Sequence, residues 1–166
     1  LQNGKLMANM INSLSSDHFY AIANDVDLRD DTWHHVAISF DGTLTASGVK
    51  MYIDGVLQTT SIELNTLSAT PIVTNASFNI GNRYNDTNSG VLFKGSLDEV
   101  RIWNTTRTQA EIQSTMNTAL SGSESGLLVY YDFEDGTGST TLTDKSSNGI
   151  HGTLRNMDPA SDWVNG

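Results

Sequence analysis

The sequence has no cysteine, which removes a disulfide framework and any thiolate metal site. Charge is scarce as well. Only 17% of the 166 residues are Asp, Glu, Lys or Arg, where about a quarter is usual. Cations are scarcer still: 9 Lys and Arg stand against 19 Asp and Glu, a formal net charge of −10. Phosphate binding needs concentrated Lys and Arg, so the balance argues against nucleic acid as a partner, and equally against an anionic membrane surface. The acidic balance is compatible with divalent cations, with neutral glycans, or with solubility alone. No apolar run reaches membrane-spanning length, which excludes membrane insertion by a helix, and the sequence contains no signal peptide. The chain opens on Leu1 rather than methionine. It is expected to be a processed or excised piece whose address signals lie outside it.

Several chemical signatures are missing too. Gly136-Thr-Gly138 follows a strand pattern but precedes no helix, so it reads as a turn and not as a phosphate loop. There is no Gly-x-Ser-x-Gly elbow, no His-Glu-x-x-His pair and no Asp-x-Asp-x-Asp-Gly calcium loop.

What is present is a β-rich composition. Ser, Thr, Asn and Gly make up the polar balance, and 37% of residues are hydrophobic, enough for one core in a chain that suits one domain. Alternating patterns predict strands at 5–10, 18–23, 33–40, 49–53, 56–60, 77–81, 96–103, 127–133 and 150–154. Residues 61–76 read as a long Ser/Thr-rich connection with room for a short strand, and Trp163-Val164 closes the chain. Within 18–23, Phe19, Ala21 and Ala23 alternate against His18, Tyr20 and Ile22. Within 33–40, His34, Val36, Ile38 and Phe40 share one face. Asp54-Gly55 between two alternating runs is a strong hairpin signal, because both central positions need positive φ. One helix interrupts the strands. Thr108 as N-cap with Glu111 three residues later forms a capping box, and Ile112, Met116 and Ala119 or Leu120 make an apolar stripe. The helix is predicted over 108–118, stopping before Gly122. Strands at short intervals with one small helix predict an all-β, antiparallel two-sheet sandwich.

Ordered motifs then resemble a known family. The run DTWHHVAISFDG at 31–42 is similar to the segment that marks laminin-G-like and pentraxin-like jelly rolls of the concanavalin-A-like kind. It is followed by VKMYIDGV at 49–56, FNIG at 78–81, FKGSLDEVRIWN at 93–104, RTQAEI at 107–112 and GLLVYYDFEDG at 126–136. The resemblance implies a laminin-G-like jelly-roll sandwich spanning 1–166. The opening strands of that family, a Phe-Asp-Gly type and an aromatic-rich Trp-Val type, do not occur before Lys5. The domain is therefore expected to lack its first strands, supplied by an upstream segment or by another copy.

Candidate site residues follow. Adjacent His34 and His35 point to opposite strand faces and cannot chelate one ion together, so with Trp33 they read as structural core. Asp98 and Glu99 are adjacent as well, which denies them the same-face spacing of a glycosidase acid pair. Glu99 shares its face with Arg101, which suggests an ion pair. The resemblance implies Asp98 as a calcium ligand, its partners coming from the missing opening strand. For glycan, Arg83, Tyr84, Asn85, Asp86 and Asn88 combine an aromatic face with amides and a carboxylate in one loop; a plain solvated loop reads equally from the same residues. Trp103 and Trp163 read as packing, and Asn75, Asn85 and Asn104 head glycosylation sequons. Together these features imply a non-catalytic extracellular module, secreted or at the cell surface, binding a glycan or protein surface or serving adhesion beside other domains of one polypeptide. The alternatives are a structural spacer without a ligand, or a glycoside hydrolase or lyase on the same fold.

Overall fold

The computed structural model describes residues 3–13, 17–67, 77–81 and 93–164. The chain divides into two compact units, 1–72 with 105–118 and 73–104 with 119–166. The strands of the first unit are β1 (Met7–Ser13), β2 (Asp17–Ala23), β3 (Val36–Phe40), β4 (Val49–Ile53), β5 (Val56–Leu57) and β6 (Thr60–Asn65), and its helix is α1 (Gln109–Thr115). They form two antiparallel sheets, ordered β1-β2-β6 and β3-β4-β5.

The alternation read in β2 holds. Phe19, Ala21 and Ala23 are buried while the residues between them are half-buried, as period-two side chains require. In β4, Val49, Met51 and Ile53 are buried in the same way. These six side chains belong to one apolar cluster with Leu6 and Ala46, so the two sheets of this unit share a core. The Asp54-Gly55 turn has φ of 50° and 72°, both positive as a type I′ hairpin needs. The strand expected over 56–60 is divided between the two sheets. β5 pairs with β4, and after Gln58 and Thr59 the chain continues as β6, which pairs with β2. Part of the segment read as a connection is therefore a strand.

β3 starts at Val36, three residues later than expected, and Trp33 is 64% exposed, so the core reading of that tryptophan is corrected. Val36 and Ile38 stand opposite Ile53 and Met51 on the core-side face, yet both remain about half exposed because β3 is the edge of its three-stranded sheet. Helix α1 has the predicted capping box complete, Thr108 Oγ1 accepting from Glu111 N–H and the Glu111 carboxylate from Thr108 N–H. It ends at Thr115, short of the expected 118.

The second unit holds β7 (Val100–Trp103), β8 (Leu127–Tyr131), β9 (Thr141–Leu142) and β10 (Gly152–Thr153), paired antiparallel as β7-β8 and β9-β10. Val129, Tyr131 and Leu142 form its core, with Val100, Ile102 and Trp163 packed on it. Trp163 also donates its indole N–H to the Ser139 carbonyl at 3.0 Å, which agrees with its reading as packing. Residues 77–81 carry no strand, and β7 begins only at Val100 because Glu99 has φ of 54°. β8 stops before Phe133, which has the same φ. β9 is two residues long, too short to show a period in sequence. The all-β, antiparallel class with one short helix is as expected. Among the described residues no helix is long and apolar enough to cross a membrane.

Candidate functional site: a cleft on the outer face of the β3-β4-β5 sheet

Side chains on a strand alternate between faces, so β4 turns Lys50 and Tyr52 away from the core that Val49, Met51 and Ile53 fill. Directly paired residues share a face. Ser39 is paired with Lys50, and Leu57 with Tyr52. These four make the floor of a cleft of about 310 Å³. Its wall comes from the segment leading into α1, with Thr106, Arg107, Thr108 and Gln109, and Asp41 and Gly48 complete the lining.

The chemistry of this lining is mixed and polar around a small apolar patch. Asp41 Oδ1 accepts from the Thr43 N–H at 2.8 Å and the Thr43 hydroxyl at 2.6 Å. The Thr43 side chain, then its amide, hold the Asp41 carboxyl below the usual carboxylate range, and Lys50 adds to this. Arg107 is paired with Glu111 at 3.3 Å. Ser39, Thr106, Thr108 and Gln109 line the same space as Leu57. Such a surface offers hydrogen-bond donors and acceptors beside an apolar contact. Among the described residues, Asp41 is the only carboxylate in the lining.

Of the residues singled out in sequence, Arg83, Tyr84, Asn85, Asp86 and Asn88 lie outside the described residues, as do the Asn75 and Asn85 sequons. Asn104 is exposed. Asp98 is exposed and its Oδ1 accepts the Glu99 N–H at 2.8 Å. Neither Asp98 nor Glu99 lies in a strand, and Glu99 has a positive φ, so strand alternation does not place them. Calcium takes six to eight oxygens, and no group of three His, Asp or Glu side chains gathers for a metal among the described residues.

The Glu99–Arg101 ion pair is present as expected, and it is part of a larger group. Glu99 Oε1 accepts the Tyr130 hydroxyl at 2.8 Å, and the Arg101 guanidinium lies 5.6 Å from the Tyr130 ring centroid. Burial first, and then the Glu99 contact, push the Tyr130 hydroxyl up to about 12. Tyr130 is thus a fixed donor at neutral pH.

His34 is engaged in a way that sequence reasoning missed. Its Nδ1 is 2.8 Å from Asp54 Oδ2, and its Nε2 is 3.1 Å from Asp30 Oδ2 and 3.0 Å from Thr32 Oγ1. The Asp54 contact, then Asp30, raise the imidazole above its ordinary value against the opposing effect of burial. The His34 contact in turn lowers Asp30. Asp54 was legible as a turn residue, but its reach to a histidine twenty positions earlier was not.

Two antiparallel sheets that share one apolar core make the first unit a small β-sandwich. The chain belongs to the concanavalin A-like lectin/glucanases superfamily, whose model matches residues 2–113. No curated protein matches the sequence. The chain is similar in fold to a crystal structure from Bacteroides ovatus ATCC 8483 described as "a putative carbohydrate binding protein", with a TM-score of 0.56 and 23% identity. The likeness covers 81% of this chain and 39% of that one, so the present chain spans well under half of that protein.

Proposed function

We propose that this chain is a non-catalytic glycan-binding module of a larger secreted or surface protein, and that the cleft over Tyr52 and Lys50 is a contact surface for the sugar. The observation that carries the reading is the cleft itself, lined by Asp41, Lys50, Arg107 and hydroxyl-bearing residues together with Leu57. Membership of a superfamily that contains lectins supports it, as does the fold shared with the Bacteroides protein. Glycoside hydrolysis uses two carboxyl groups flanking the bond, and among the described residues this cleft is lined by one. The loop containing Arg83, Tyr84, Asn85, Asp86 and Asn88 is proposed as a second contact.

A glycan array should yield a bound class, and calorimetry with that glycan should show at least about a tenfold loss of affinity in Asp41→Ala and Lys50→Ala, since each removes a polar contact to the sugar. If Tyr84→Ala abolishes binding while the cleft variants do not, the loop is the site and the cleft is not. Silence across the array would favour a structural spacer.

Calcium belongs to the proposal only at Asp98, and no step of the glycan reading passes through it. If the ion binds there, added calcium raises the melting temperature and Asp98→Asn abolishes the rise. A melting temperature indifferent to calcium removes the ion from the reading.

A further inference from the structure

The His34 ring joins two segments that are distant in sequence. Its Nδ1 faces Asp54, in the β4–β5 turn, and its Nε2 faces Asp30 and the Thr32 hydroxyl, in the loop before β3. These two carboxylates are the charged groups facing the ring; Arg29, nearby in sequence, is occupied by Asp27 at 2.6 Å. A neutral imidazole has one N–H and can donate to one carboxylate only, whereas the imidazolium donates to both. The two-sided contact is therefore complete only in the protonated ring.

The turn held in this way supports the cleft. Asp54 takes the left-handed conformation, with φ of 50°, a conformation that costs energy in a non-glycine residue. Its other oxygen, Oδ1, accepts the His35 N–H at 2.9 Å. The next residue, Gly55, gives its carbonyl to Gln113 Nε2 of α1 at 2.8 Å. Tyr52 and Leu57 flank the turn and form part of the cleft floor, while the segment entering α1 forms the wall. One turn thus braces both sides of the cleft.

We propose that His34 is a proton-operated latch: protonated, it clamps Asp30 and Asp54 and keeps the turn and cleft in binding shape, and deprotonated, it releases one carboxylate and loosens both. The binding half rests on the glycan reading of the cleft; the clamp half rests on the His34 geometry alone. A histidine raised by its partners contributes stabilisation that is complete below the ordinary imidazole value, about 6.5, and is lost as pH rises through the higher folded value. Glycan affinity follows the same direction.

The test compares wild type with His34→Gln and Asp30→Asn between about pH 5.5 and about pH 8.5, the range where imidazole titrates. In the wild type, the Asp54 and Gly55 amide NMR signals shift with a midpoint above the ordinary imidazole value, the melting temperature falls, and glycan affinity weakens about fivefold toward high pH. His34→Gln gives flat profiles for the Asp54 and Gly55 amides. Asp30→Asn shrinks the step, because only Asp54 then favours the protonated ring. A Gly55 amide indifferent to pH, or the same steps surviving in His34→Gln, overturns the latch. If no glycan binds at any pH, the cleft reading fails, and the Gly55 titration still decides the clamp.

Discussion

Replacing Asp144 by alanine is expected to lower stability by about 3–5 kcal/mol, the cost of removing a buried, fully engaged carboxylate. Asp144 is 5% exposed. Its Oδ1 accepts the Tyr130 N–H at 2.9 Å and the Ser146 N–H at 2.8 Å. Its Oδ2 accepts the Ser146 hydroxyl and the Ile150 N–H, both at 2.8 Å. One side chain therefore ties the 144–150 loop to β8, next to a bridge between Tyr131 and Asp144. The loop adds its own contacts, since the Tyr131 hydroxyl donates to the Ile150 carbonyl at 2.7 Å. Alanine would leave three backbone N–H groups and a hydroxyl without this acceptor. Asn is expected to cost less, because it keeps one oxygen, but its NH₂ would face donors on the other side. Urea denaturation should report the loss as a lower midpoint at unchanged slope, and hydrogen exchange should show the Tyr130 and Ile150 amides losing protection. The pH dependence has a definite sign. Burial pushes the Asp144 carboxyl up, but the N–H groups of Tyr130, Ser146 and Ile150 and the Ser146 hydroxyl overcome it, and the net shift is down. The stabilisation is present above the unfolded carboxyl value, about 3.9, and is lost as pH falls through the lower folded one. The gap between wild type and Asp144→Ala should therefore close only in strong acid.

Phe19→Ala is expected to cost about 3–5 kcal/mol as well, through a different mechanism. Phe19 is 1% exposed, with Phe40 at a ring-centroid distance of 5.8 Å, and it joins the cluster drawn from both sheets of the first unit. Truncation removes apolar contact and leaves a cavity that rigid strands close only in part. Trp33→Ala makes the informative contrast. From sequence it belongs to the core and would be as damaging; at 64% exposure it should change stability by no more than about 0.5 kcal/mol. Thermal melts of the two variants side by side check both. Equal losses would contradict the exposed placement of Trp33.

The different fates of these two aromatics show which parts of the fold were legible. Phe19 sits in a short alternating run bounded by turns, where period two marks one buried face, and the structure agrees. Trp33 sits at the start of a longer run whose two faces both carry apolar residues. No period decides its side, and β3 begins only after it. Motifs that depend on neighbours in the chain were read correctly for a similar reason. The Asp54-Gly55 turn and the Thr108–Glu111 box are set by φ preferences and by hydrogen bonds spanning three residues. Strand ends were read less well. Glu99 and Phe133 adopt positive φ, which nothing in their side chains advertises, and each shortens a predicted strand.

The candidate site was mostly hidden. The sequence-derived loop at 83–88 lies outside the described residues, and the cleft was not anticipated at all. Ser39, Lys50, Leu57 and Arg107 come from four separate segments and share no spacing pattern; strand register and the path into α1 bring them together. By itself the sequence determined the all-β class, the hairpin, the cap and the alternating core face, because these follow from local geometry and period. Only the tertiary structure decided that 56–65 divides between two sheets, that Asp144 anchors a loop, that His34 spans Asp30 and Asp54, and where a cleft opens. Those features depend on contacts between residues far apart in the chain, and local preference carries no information about them.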